Sequence, residues 1–345
     1  MRIILDAMGG DNAPLAPVEG AVQAAEKLGV EVVLAGKPEE IMACLEKLGH
    51  KEIPKDIEIL SASQVITMED NPARAFKEKK DSSMTVGLQK LKDGEADAFV
   101  SAGSTGALLS AATLMVKRIR GIRRAAMCPL VPTQKGSFVL IDCGATADCT
   151  PEYLLQYAFM GTYYAKRTLG LENPRVGLLN IGTEPTKGLP LQLETHALLT
   201  QAHEEGRINF IGNIEGREAL LGGVDVLVTD GFTGNIFMKT YEGGLLMFAD
   251  FMKTMFQSGL STKLGYLTVK GQVESFKKTF NPNEIGGTAM VGISKPVIKA
   301  HGSSNGYAIF NAICRAKEMA ESDLIQDITA NIEHMRISGG KTAEE

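Results

Sequence analysis

The strongest constraint on the fold is an alternation of short apolar, β-branched runs with amphipathic helical patterns along the whole chain. This alternation is typical of parallel strands joined by crossover helices, and it predicts an α/β protein. Nine runs are predicted as strands, at residues 3–5, 30–34, 57–60, 98–100, 138–141, 176–179, 208–211, 224–228 and 297–299. Ligands of open parallel sheets bind beyond the carboxyl ends of the strands, so the loops that follow these runs are candidate site segments.

The length and the charge restrict the remaining possibilities. In 345 residues, 44% are hydrophobic, and no repeat or linker divides the chain, so we expect one catalytic domain at 1–335 and a polar C-terminal tail at 336–345. The net charge of -5 provides no global positive field for nucleic acid. Five scattered cysteines without a C-x-x-C pair, and an N-terminus without a signal-peptide pattern, predict a cytosolic protein. No apolar stretch reaches the roughly 18 residues of a spanning helix.

Residues 241–280 interrupt the alternation with two successive helical patterns and no strand between them. We expect a helical hairpin, divided near Gly259 and Gly265. The Met and Phe side chains of its first arm are spaced as in core or dimer packing. Its middle exposes large apolar residues that interleave with Lys263 and Lys270, which is typical of an interfacial membrane segment, although coverage by a dimer partner is the alternative. The predicted contact residues are Leu260, Leu264, Tyr266, Leu267 and Val269.

Four glycine-rich loops follow predicted strands, at 6–14, 101–108, 180–188 and 229–235. Their glycines allow backbone N–H groups to approach an anion, and Lys187 adds a cation within one of them. Each loop alone is also compatible with a plain strand–helix turn, but together they predict a phosphate-sized site. The candidate phosphate or substrate residues in these loops are Asp6, Gly9, Gly10, Asp11, Gly103, Ser104, Thr105, Gly106, Gly182, Thr183 and Gly234, with Asn235 as a further candidate contact.

Residues 302–306 match the G-x-S-x-G pattern of a serine hydrolase, with Ser304 at the nucleophile position. A nucleophile elbow of that kind requires an Asp and then a His later in the chain, and only a crowded C-terminal stretch offers them. Ser303 or Ser304 as a helix N-cap is the alternative. The sequence has no G-x-G dinucleotide motif and no metal-ligand spacing, so no cofactor and no metal are expected.

A basic segment stands out in this acidic chain: Lys117, Arg118, Arg120, Arg123 and Arg124 place five cations in eight residues. It is either the solvated end of a helix or a docking site for an acidic macromolecule.

Six motifs in the same order resemble the bacterial phosphate acyltransferases of phospholipid synthesis. They are DAMGGDNAP at 6–14, SAGSTGAL at 101–108, IDCGAT at 141–146, RVGLLNIGTEPTKG at 175–188, TDGFTGN at 229–235 and PVIKAHGSS at 296–304. The resemblance extends from Met1 to about Ala320. It departs at Asn12, where the family usually has His, at Ser104, where it has Asn, and at 143–146, where it has Val-Gly-Ala-Asn.

The resemblance implies a three-layer α/β/α sandwich similar to isocitrate and isopropylmalate dehydrogenases and to phosphotransacetylase. It implies a cytoplasmic, peripherally membrane-associated homodimer that makes acyl phosphate from acyl-acyl-carrier-protein and inorganic phosphate, for a downstream glycerol-3-phosphate acyltransferase. On this basis Lys187 and Asn235 are predicted as catalytic, His301 and Ser303 join the substrate residues, and the basic segment docks the carrier. A phosphotransacetylase-like enzyme that uses acyl-CoA and a serine esterase with Ser304 as nucleophile are the alternatives.

Overall fold

The computed structural model describes residues 1–335, so the predicted tail at 336–345 lies outside the described residues. All nine predicted strands are present within three residues of their predicted bounds, and three further short strands accompany them. In chain order the strands are β1 (Arg2–Asp6), β2 (Glu31–Gly36), β3 (Ile57–Ser61), β4 (Ala98–Ser101), β5 (Ala126–Cys128), β6 (Leu130–Thr133), β7 (Gly136–Ile141), β8 (Val176–Leu179), β9 (Phe210–Ile214), β10 (Val226–Val228), β11 (Thr288–Val291) and β12 (Val297–Lys299).

Helices connect most of these strands, as the alternation predicts. The α-helices are α1 (Leu15–Leu28), α2 (Pro38–Lys47), α3 (Ala75–Glu78), α4 (Ser83–Lys92), α5 (Thr105–Ala111), α6 (Pro151–Leu169), α7 (Pro190–Glu204), α8 (Gly216–Leu220), α9 (Gly231–Gln257), α10 (Leu260–Thr279), α11 (Pro282–Ile285), α12 (Gly306–Glu321) and α13 (Leu324–Ala330). A π-helical turn at Ala112–Val116 extends α5, and a 3-10 turn lies at Ile332–Met335.

The strands form two sheets. A seven-stranded sheet has the order β3-β2-β1-β4-β12-β11-β5, and a five-stranded sheet has the order β6-β7-β10-β8-β9. Most neighbours are parallel, which confirms the α/β class with mostly parallel strands. The antiparallel pairs are β5 with β11, β11 with β12, and β6 with β7. They all involve the strands that the sequence patterns missed, because runs of three or four residues carry too little periodicity.

One buried apolar cluster includes residues of both sheets, such as Leu5 and Val100 of the larger sheet and Ile141 and Val226 of the smaller one. The long helix α6 contributes Tyr157 to the same cluster, where it is fully buried. Continuous burial of this kind holds the two sheets together. It therefore also fixes where the loops at their strand ends meet.

Helices α9 and α10 depart from the predicted bounds of 241–280. Helix α9 begins ten residues earlier, at Gly231, and the break falls at Ser258 and Gly259 alone, so Gly265 lies inside α10. The two helices contact each other through edge-to-face rings, Phe248 with Phe276 at 5.6 Å and Phe256 with Tyr266 at 5.3 Å between centroids. The order of these pairs shows that the helices run antiparallel, and we call them the helix pair.

The helix pair is poorly buried in this chain. Helix α10 has no buried residue, and in the first arm Phe248, Phe251 and Met255 are all exposed. The prediction that the first arm packs in the core is therefore wrong for these three side chains. Dimer packing stays a prediction.

Candidate active site

A cavity of about 540 Å³ lies where loops of the two sheets face each other. From the larger sheet it is lined by the loops after β1, β4 and β12, and from the smaller sheet by the loop after β7 and the first turns of α9. Six of the residues proposed from sequence line it together: Asp11, Gly103, Thr105, Gly106, Asn235 and His301. The carboxyl ends of parallel strands thus gather the loops, as the sheet rule requires.

The loop after β1 is packed against the loop after β4 by a buried carboxyl group. Asp6 is 2% exposed and accepts hydrogen bonds from Ser101 Oγ at 2.7 Å and from the Met8 N–H at 3.2 Å. Burial raises the pKa of Asp6, and the hydrogen bonds from Ser83 and Ser101 oppose that rise. Asp6 therefore organises the loop and does not itself line the cavity.

Gly9 and Gly10 allow this close approach. A Cβ at Gly9 would lie 2.6 Å from Asp6 Oδ2 and 2.7 Å from the Gly103 N, and Gly10 has a φ of +102°. Asp11 is exposed, and its N–H donates to the Gly302 carbonyl at 2.8 Å, which ties the first loop to the loop after β12. The three loops of the larger sheet thus form one connected wall of the cavity.

The opposite wall depends on Asp142, which sequence reasoning did not single out. Its buried carboxylate accepts hydrogen bonds from the N–H groups of Met127 at 2.9 Å, Ala145 at 3.0 Å and Thr146 at 2.7 Å. Burial raises the pKa of Asp142 to about 6, and these N–H donors oppose that rise. Its position directly after a strand, within the motif IDCGAT, was the available signal.

Helix α9 packs tightly onto this same loop. A Cβ at Gly231 would collide with the Asp142 carboxylate, and one at Gly234 with the Asp142 backbone oxygen. Asp230 caps the helix by accepting from the Thr233 N–H at 2.8 Å. This packing places Asn235 beside Gly144, where it lines the cavity.

Lys299 is the second residue that sequence reasoning missed. It ends β12, is 7% exposed and lines the cavity. Burial lowers the pKa of Lys299 to about 8, and the carboxylates of Asp6 and Asp11 oppose that shift. The signal was a lysine at a strand end inside the motif PVIKAHGSS.

The loop after β8 is placed differently. Gly182 is buried, whereas Thr183 and Lys187 are exposed, and none of the three lines the cavity. The Lys187 carbonyl accepts from Asn180 Nδ2 at 3.0 Å, so the loop is closed on itself. Because β8 neighbours β10, this loop leaves the same edge of the smaller sheet, and the role of Lys187 stays a prediction.

The G-x-S-x-G segment forms a different arrangement from an elbow. Ser304 is 4% exposed and lines the cavity, but no hydrogen bond joins its Oγ to a histidine within residues 1–335. Ser303 is exposed, and its Oγ lies 2.9 Å from His301 Nδ1. The N-cap of α12 is Asn305, which accepts from the Ala308 N–H at 2.9 Å, so the N-cap alternative for Ser303 and Ser304 is wrong.

Two of the departures from the family pattern have structural roles. Asn12 Nδ2 lies 3.1 Å from the carbonyl oxygens of both Ser303 and Ser304 and donates to them. Ser104 caps α5 by accepting from the Ala107 N–H at 3.5 Å. The side chains found here thus hold the loop backbones.

The basic segment begins at the end of the π-helical turn, where Lys117 is the C-cap, and its other four cations lie in the surface turn that follows. Four of its five cations are exposed, Arg118 is half-buried, and none of the five lies within 4.0 Å of a carboxylate in the described part of the chain. Arg124 stacks over the Tyr153 ring at 5.2 Å. Most of the positive charge of the segment is therefore exposed.

Within residues 1–335, no group of three or more His, Cys, Asp or Glu side chains is arranged to hold a metal ion. None of the helices in that range has the length and apolarity to cross a bilayer.

The two opposed groups of strand-end loops belong to an α/β fold that is similar to the fold of solved phosphotransacetylases. The phosphotransacetylase of Streptococcus pyogenes is 18% identical, with a TM-score of 0.62, over 93% of this chain and 94% of that one. A 4-hydroxythreonine-4-phosphate dehydrogenase of Klebsiella pneumoniae is 12% identical, with a TM-score of 0.54, over 93% and 98%. These likenesses show the fold.

The family is shown by closer relatives. The family model described as "Fatty acid synthesis protein" matches residues 1–327. A phosphate acyltransferase of Desulfitobacterium hafniense is 46% identical over 95% of this chain and 96% of its own length. One from Bacillus cereus is 44% identical over 96% and 98%. The chain therefore belongs to the family of phosphate acyltransferases, as the six motifs predicted, and it is an enzyme.

Proposed function

We propose that this enzyme forms acyl phosphate from an acyl-acyl-carrier-protein and inorganic phosphate, for phosphatidic acid and phospholipid synthesis. A phosphate oxygen attacks the thioester carbonyl, the C–S bond breaks, and the carrier thiolate leaves and takes up a proton. Phosphate is already an anion at neutral pH, so the site requires neither a protein nucleophile nor a strong base. It must position the two reactants and stabilise the oxyanion.

The supporting observation is the cavity itself, where glycine-rich loops of both sheets meet around Asn235 and Lys299. Backbone N–H groups, an amide and an ammonium are the donors that bind phosphate and an oxyanion. We further propose the three-layer α/β/α architecture of the isocitrate and isopropylmalate dehydrogenases, with residues 1–335 as one catalytic unit and the helix pair as its hairpin.

The experiment incubates purified protein with a long-chain acyl-carrier-protein and phosphate, and traps acyl phosphate with hydroxylamine. Product should form without added metal or nucleotide. A parallel incubation with acyl-CoA tests the phosphotransacetylase-like alternative. Ser304→Ala should retain most of the activity, whereas loss of a nucleophilic serine costs about 10⁶-fold, and a loss of that size would support the esterase alternative instead.

The exposed basic segment supports docking of the carrier, because an acidic protein is attracted to unpaired cations. The helix pair supports peripheral membrane association of a cytoplasmic enzyme. Leu260 is 82% exposed, and Leu264 and Leu267 are each 66% exposed. Lys263 lies between the first two leucines, and Lys270 follows the third. This arrangement buries apolar side chains at a bilayer surface while the ammonium groups contact anionic headgroups. A homodimer and the downstream glycerol-3-phosphate acyltransferase complete the proposed partners.

A further inference from the structure

Lys299 is a buried cation without an acidic partner. Its side chain lines the cavity, and no carboxylate oxygen lies within 4.0 Å of Nζ among residues 1–335, although Asp6 and Asp11 lie near enough to oppose its loss of charge. Nζ donates instead to the backbone carbonyl of Ala102 at 3.2 Å and to that of Ala300. Burial of an ammonium group is costly unless an opposite charge compensates for it. The site is therefore arranged around a positive charge that the chain itself does not neutralise.

The hydrogen bonds of Lys299 leave one donor unused. A lysine ammonium has three N–H groups, and the two carbonyls accept two of them. The third has no acceptor within the described residues. The other lysine that lines the cavity, Lys239, pairs with Glu242 at 3.0 Å and is neutralised. Lys299 is thus the cavity cation with both charge and a donor available.

We propose that Lys299 binds the phosphate substrate through this third N–H, with the carbonyls of Ala102 and Ala300 aiming its ammonium group. The inference rests on the proposed function and adds to it a phosphate ligand from β12. A bound anion supplies the negative charge that compensates for the buried ammonium group. It also explains why the loops after β4 and β12 hold Nζ by neutral oxygens, which leave its charge intact.

The pH dependence follows from the groups around Lys299. Burial lowers its pKa to about 8, Asp6 of β1 and Asp11 of the following loop oppose that shift, and Lys239 of α9 adds to it. Only the protonated amine attracts phosphate, so binding should weaken above about pH 8. Phosphate itself gains negative charge as the pH rises, so its own ionisation would have the opposite effect. In the variant Lys299→Arg, the guanidinium group would stay protonated throughout this pH range.

Isothermal titration of the full-length protein with inorganic phosphate, between about pH 7 and about pH 9.5, tests this directly. The wild-type dissociation constant should rise about tenfold per pH unit above about pH 8. Lys299→Met should raise the dissociation constant and the KM for phosphate by roughly 10–100-fold, and leave the KM for acyl-carrier-protein within about threefold. Lys299→Arg should bind phosphate without the loss above pH 8. The matched control is Lys51→Met, which removes an exposed lysine outside the cavity and should bind phosphate as the wild type does.

Circular dichroism first establishes which variants fold. If Lys299→Met folds and binds phosphate as the wild type does, the proposal is wrong. If neither Lys299 variant folds, the wild-type titration decides, and binding that stays constant or strengthens above pH 8 overturns the proposal. The proposed function can fail independently of this proposal. If the wild type binds phosphate with this pH dependence but makes no acyl phosphate, Lys299 is an anion ligand for another reaction.

Discussion

The two ends of α9 have opposite surroundings. Its first turns are packed against the Asp142 loop, and Gly231, Gly234 and Met238 are its buried residues. Farther along, Leu246 and Met247 are 69% and 73% exposed. Gly and Met residues of α9 are therefore buried near the cavity and exposed in the helix pair. Composition alone does not separate a catalytic wall from a surface for a partner, because the difference lies in what the other elements place against each end.

The largest effect should come from the exposed end. Leu260→Glu/Leu264→Glu/Leu267→Glu should weaken sedimentation with anionic vesicles by more than about 10³-fold, because each buried leucine contributes about 1.5–3 kcal/mol. Activity with the soluble carrier should persist, since these residues lie outside the cavity.

The matched control for that triple variant is Ser261→Glu/Thr268→Glu/Gln272→Glu, which adds the same charge to α10 without removing apolar surface. It should retain clearly more vesicle binding. Dissociation of a dimer or unfolding of the leucine variant, seen by sedimentation velocity, would instead make the helix pair a structural element.

The next effect concerns Lys187, in the loop after β8. Lys187→Ala should lower the rate of acyl phosphate formation by roughly 10²–10³, the usual loss for one oxyanion or phosphate donor. Folding should be intact because the side chain is exposed. Lys51→Ala, at another exposed lysine, is the control and should have wild-type kinetics. Wild-type turnover of Lys187→Ala would remove this residue from the site.

Two glycines of α9 compare its ends most directly. Gly234→Ala should lower the free energy of unfolding by roughly 1–3 kcal/mol, because its Cβ would overlap the Asp142 backbone oxygen. At Gly243, no atom lies within 4 Å of an added Cβ. Gly243→Ala should therefore raise the free energy of unfolding by up to about 1 kcal/mol, because alanine has the higher helix propensity. Urea denaturation measures both, and equal effects would contradict the contrast between the two ends.

The smallest effect is expected at the basic segment. Arg120→Glu/Arg123→Glu should raise the KM for acyl-carrier-protein by roughly two- to tenfold and leave the KM for phosphate unchanged, because exposed charges guide association more than they hold a complex. The wild-type rate should fall as salt is added. Kinetics that do not respond to salt would argue for docking elsewhere.

Local sequence signals predicted the elements with regular periodicity and clear ends. The strands from β1 to β4 are confirmed. The glycine-rich loops were recognisable for the same reason, because strand, turn and helix follow each other within about ten residues. These features depend on contacts between chain neighbours, so they can be read from the sequence alone.

Tertiary structure alone decided what those loops face. Three features depend on residues far apart in the chain: the division of the strands into two sheets, the antiparallel strands β5, β6 and β11, and the opposed positions of the Asp6 and Asp142 loops. Lys299 and Ala102 are separated by 197 positions, and only the adjacency of β4 and β12 brings Nζ to that carbonyl. Spacing within a motif carries no information on such contacts, which is why sequence reasoning selected the lysine of a glycine-rich loop and missed the buried one.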